Sequence, residues 1–124
     1  MARQLSIALW NAELDNLRKR WEDLNDALRD ALDELEAARI DLTNAREEIR
    51  RVSGGESAAI LWQLGTLQQS VEDAYEEKRL AKEAVRKWKT IVKGLEAKIA
   101  ETDLRIENAR TTVLLETALH QIGQ

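Results

Sequence analysis

From Ile7 onward the apolar residues of the chain recur on a strict seven-residue repeat. Its first set of seam positions is Ile7, Leu14, Trp21, Leu28, Leu35, Leu42 and Ile49; its second is Trp10, Leu17, Leu24, Ala31, Ala38, Ala45 and Val52. All fourteen are apolar, which favours a coiled coil over a generic amphipathic helix. A second repeat begins at Ile60 and runs through Leu64, Leu67, Val71, Ala74, Ala81, Val85, Trp88, Val92, Leu95, Ile99, Ile106, Ala109 and Val113. Only Lys78 and Thr102 break it with polar side chains. Gly65 and Gly94 lie off this seam and are expected to be tolerated at about 1 kcal/mol each.

Between the repeats stands Ser53-Gly54-Gly55-Glu56. Gly54 suits the left-handed residue that ends a helix, Ser53 or Ser57 can cap the next one, and Ser53 to Glu56 has capping-box spacing. The pattern therefore predicts one helical-hairpin domain over 1–124, with helix one at about 5–52, a turn at 53–56 and helix two at about 57–121. Folded back at the glycines, seam partners sum to 109, so that Leu14 meets Leu95, Ala38 meets Val71, Trp21 meets Trp88 and Lys78 lies opposite Ala31. Helix two then outruns helix one, and Arg110–Gln124 projects beyond the N-terminus. Ala27, Ala84 and Ile91 on one flank and Leu32 and Tyr75 on the other widen the apolar stripe beyond a two-stranded seam. The expected fold class is all-α, a long antiparallel coiled-coil hairpin that dimerises into a four-helix bundle.

Two surfaces are candidates for function. At the open end of the hairpin, Leu5, Leu9 and Trp10 accompany Val113, Leu114, Leu115, Leu119 and Ile122, pointing in more directions than two helices can bury. They predict a protein-interaction surface for self-association, as a homodimer, or for docking another protein. The second surface is a basic stripe on helix two, Arg79, Lys82, Arg86, Lys89 and Lys93, recurring every three or four residues. The facing segment 11–31 would offset it only partly. The stripe is a candidate anion-binding site, nucleic-acid phosphate included, although no interleaved aromatics or recognition helix accompany it.

Composition narrows the chemistry. The 124 residues contain no cysteine and no proline, and the net charge is −4. Disulfides, thiolate catalysis and cysteine-held zinc are thereby excluded, and the mild charge gives no global attraction to nucleic acid or membrane. Carboxylates are numerous but repeat along exposed helix faces, so no paired-acid catalytic site is expected, nor any cofactor. Glu116 and His120 fall on one side four residues apart, which is not the Glu-x-x-His spacing of di-metal bundles. No run approaches the ~20 apolar residues needed to span a bilayer, and a cytoplasmic, non-enzymatic scaffold or adaptor is the expectation. Two helices and a tryptophan invite comparison with the small WXG-type secreted hairpins. Trp62-Gln63-Leu64-Gly65 has one residue too many for that pattern and is expected inside helix two, so the comparison is not carried further.

Overall fold

The computed structural model describes residues 2–123, the side chains of Glu56 and Ser57 excepted. Among these residues it is all-α, with α1 at Ala2–Ser53, α2 at Gly55–Gln63 and α3 at Leu67–Ile122. The two long helices, α1 and α3, pack against each other as a helical hairpin. The chain divides into two compact units: residues up to Arg29 with those from Lys93 onward, and Asp30–Val92.

In the unit formed by the chain ends, Leu14, Leu17, Ile106 and Ala109 make one buried cluster. Leu14 with Ala109 and Leu17 with Ile106 fix an antiparallel register in which partner numbers sum to 123. That corrects the expected value of 109 by two whole heptads. An ion pair between Arg3 Nε and Glu116 (3.4 Å) and a contact between Gln4 Nε2 and His120 Nε2 (3.3 Å) carry the pairing to the N-terminus. The segment from Arg110 is consequently not an overhang; it lies beside the start of α1. Thr102, 2% exposed, takes the place opposite Trp21 that the sequence assigned to Trp88. Its hydroxyl donates to the Lys98 carbonyl one turn back at 2.8 Å. That carbonyl keeps its backbone helix bond without the hydroxyl, so Thr102→Val should be neutral or stabilise by up to about 1 kcal/mol in chemical denaturation.

In the second unit the same relation matches buried positions across the pair, Ala31 with Val92 and Ala38 with Val85. Lys78 accordingly falls opposite Ala45, not Ala31, and is half-buried with its stem along the seam. Small residues recur here (Ala31, Ala38, Ala45, Ala74 and Ala81 are all buried), which lets the two backbones approach closely.

A hairpin with this register needs a longer connection than the four residues expected, and the chain folds it locally. Helix α1 ends at Ser53, and Gly54 is extended (φ −155°, ψ 162°) with no side-chain cap on α2. The expected Glu56 and Ser57 cap contacts lie outside the described residues. Instead of continuing, the second helical pattern breaks again at Leu64–Thr66. Gly65 takes φ +73°, its N–H donates to the Trp62 carbonyl, and the Thr66 N–H reaches the Leu61 carbonyl. These two bonds close a Schellman-type helix end, which satisfies carbonyls that the helix leaves open. Thr66 then accepts the Ser70 N–H as α3 begins. Trp62–Gly65 therefore does sit at the turn, contrary to the sequence expectation, while keeping one residue more between tryptophan and glycine than the WXG pattern.

Nothing lies within 4 Å of a Cβ built on Gly65, so only the backbone conformation opposes a side chain there. Gly65→Ala should cost about 1–2 kcal/mol, read as a lowered melting temperature with the helix content of the folded state unchanged.

Candidate interaction surfaces

Helix pairing leaves the expected open-end residues largely uncovered. Leu5 and Leu9 are 63% exposed, Leu115 57%, Leu114 71% and Ile122 80%. Trp10 is partly covered at 38%, and Val113 and Leu119 are half-buried. Register separates these residues into groups. Leu9, Leu115, Leu119 and Ile122 occupy the third and seventh heptad positions, which lie on one flank of the antiparallel pair. Trp10 borders that flank and lines a hollow with Ser6, Leu9 and Glu13. Leu114 lies on the opposite flank, Leu5 on the back of α1, and Val113 in the seam. The structure thus brings five of the eight into one apolar patch, drawn from both helices.

The opposite flank of the same unit holds a groove lined by Arg18, Trp21, Glu22, Asp103, Ile106, Glu107 and Arg110. Each helix contributes charges of both signs to it.

The basic stripe is divided. Arg79, Lys82, Arg86 and Lys89 are exposed on α3 within the Asp30–Val92 unit, whereas Lys93 belongs to the other. The Arg79 guanidinium is engaged by Glu76 and, at 2.8 Å, by Glu83. The Glu76 hydrogen bond raises its pKa further, so Arg79 stays charged but is partly neutralised on its own helix. In this register segment 11–31 faces 92–112, and so only Lys93 of the stripe. Arg39 and Arg46 of α1, both exposed, share the stripe's flank with Glu36, so the offset expected from the sequence is largely lost.

On the other flank of that unit a groove of about 570 Å³ is lined by Asp41, Asn44, Ala45 and Glu48 from α1 and by Glu77, Leu80, Ala81 and Ala84 from α3. Its floor is small and apolar and its rim is acidic. A hydrogen bond from Arg51 to Glu48 holds that carboxyl below its usual range, so it remains charged.

The structure also exposes an apolar group at α2, of which heptad counting placed Ile60 and Leu64 in the seam. Ile60 is 55% exposed, Leu64 70% and Trp62 73%, all on α2 or at its end. Ile60 and Leu64 lie outside the seam because the two long helices stop pairing near Val52. The signal was present in the sequence: Gly65 followed by Thr66-Leu67-Gln68-Gln69, a Thr-x-x-Gln helix start. In the structure Thr66 Oγ1 reaches the Leu61 carbonyl instead of closing that box (3.4 Å).

Among the described residues there is no group of three or more metal-ligating side chains, and no helix is long and apolar enough to cross a membrane. Glu116 and His120 face Arg3 and Gln4 of α1. No protein family, curated protein or solved structure matches the chain.

Proposed function

We propose that the chain is a non-enzymatic interaction module that associates with protein through the apolar flank at its chain ends, a second copy giving a four-helix assembly. The observation that carries this reading is the exposure of Leu9, Leu115 and Ile122 on one flank although both helices contributing them are already paired. Large aliphatic side chains from two rigid helices, bordered by a tryptophan, form the kind of anchor cluster that interfaces are built around. Both helices contribute, so a two-fold partner can cover the patch with its own copy of it.

Light scattering at high salt tests the reading. The wild type is expected at twice the chain mass, and Leu9→Glu with Leu115→Glu at the chain mass, with helix content retained because both positions are exposed. A wild-type monomer at about 100 µM, above the Kd range of weak homodimers, would contradict association between copies through this flank.

A further inference from the structure

The Asp30–Val92 unit segregates its charge by flank. The flank holding the apolar-floored groove carries Asp30, Glu34, Asp41, Glu48, Asp73 and Glu77 against Arg51 and Lys87. The opposite flank carries Arg39, Arg46, Arg79, Lys82, Arg86 and Lys89, with Arg50, against Glu36 and Glu72, Arg79 being partly neutralised by Glu76 and Glu83. Antiparallel pairing sets each flank of α1 beside the same flank of α3. Acid therefore meets acid, as Asp41 and Glu48 do with Glu77 around one groove, and base meets base. Among the described residues, every ion pair of this unit joins positions three or four apart on one helix. None crosses between helices.

Flanking positions of a coiled coil usually hold cross-helix charge pairs that stabilise the two helices and choose their partner. Like charges facing each other do the reverse, and an external surface of opposite sign relieves them. The complement to each flank is present on the other side of the same unit. The acidic flank offers Ala45, Ala81 and Ala84 with Leu80 as a close-approach floor; the basic flank presents Leu32 and Tyr75, 45% and 53% exposed, among its cations. We infer that the acidic groove of one copy receives the basic flank of another, a face-to-back association between copies of this chain. Because the two surfaces differ, the contact leaves one free flank at each end of a pair and continues to further copies. It uses a different unit from the apolar patch and does not depend on it.

The test is a charge swap made in the Leu9→Glu, Leu115→Glu background, so that the apolar patch does not contribute. Sedimentation at low salt should show mass rising with concentration beyond a dimer. Raising salt from about 50 to about 500 mM, which shortens the screening length several-fold, should abolish the rise. Asp41→Lys with Glu77→Lys cancels the net charge of the acidic flank; Arg46→Glu with Lys82→Glu removes most of the net charge of the basic one. Each double variant alone is expected to associate at least about tenfold more weakly, and mixing the two in equal amounts should give a one-to-one pair, because the first keeps an intact basic flank and the second an intact acidic one. The proposal is overturned if the background protein stays monomeric at low salt, if either double variant associates as it does, or if the mixture forms no pair. A short duplex RNA that binds the basic flank, with self-association unmoved by Arg46→Glu and Lys82→Glu, would assign that flank to nucleic acid and overturn it as well.

Discussion

Val52→Asp is expected to lower the stability of the protein by about 3 kcal/mol or more, the largest loss of any single substitution considered. Val52 has no accessible surface at all, one residue before α1 ends. An aspartate there either buries an unpaired carboxylate or draws water into the end of the seam. Chemical denaturation followed by far-ultraviolet circular dichroism reads the loss. Trp62 and Trp88 lie in the same unit, so their fluorescence should shift with the transition. Val52→Thr nearly keeps the shape and adds one hydroxyl, so it should cost only about 1–2 kcal/mol. Equal losses for the two substitutions would mean that Val52 is not held in an apolar site.

Leu17→Ala should cost about 2–4 kcal/mol in the other unit. Leu17 is 6% exposed and packs in the cluster with Leu14, Ile106 and Ala109. The small Ala109, at 1% exposure, cannot swell to fill the space that the leucine leaves. Nearby solvent limits the cavity, which keeps the expected loss below the top of the usual range. Trp10 and Trp21 report on this unit. A loss under about 1 kcal/mol would show that the cluster is loosely packed and does not hold the chain ends together.

The two long helices, their antiparallel pairing and the break near Gly54 were legible because a seven-residue apolar repeat has few other solutions. The register was not. Shifting one helix by whole heptads keeps every seam residue facing the seam, so sums of 109 and 123 satisfy the pattern equally well. A preference for a short turn selected the first. The deciding features are local: the positive-φ Gly65 and the Thr66-Leu67-Gln68-Gln69 start, which together insert α2 and lengthen the connection. Exposure of Leu9, Leu115 and Ile122 could be read from heptad positions, whereas the fate of the last fifteen residues could not, since it follows from register. The charge segregation was half visible as a basic stripe on helix two. Its reinforcement by Arg39 and Arg46 needed the correct α1 segment beside it. Ile60 and Leu64 were misassigned for the same reason, since a seam that ends near Val52 no longer covers them.

Register therefore decides which surfaces exist, and the absence of native cysteine makes it directly measurable. Leu14→Cys combined with Ala109→Cys should form an intramolecular disulfide on mild oxidation of dilute protein, seen as a mass loss of about two daltons and faster migration on a non-reducing gel. Leu14→Cys combined with Leu95→Cys should not. Fourteen residues of helix displace that second site by about 21 Å, three times the Cα separation a disulfide spans. Ala38→Cys with Val85→Cys, against Ala38→Cys with Val71→Cys, repeats the comparison in the other unit. Cross-linking of the 14/109 and 38/85 pairs alone is the predicted result. Cross-linking of 14/95 and 38/71 would contradict the register, and with it the apolar flank and the charged faces built on it.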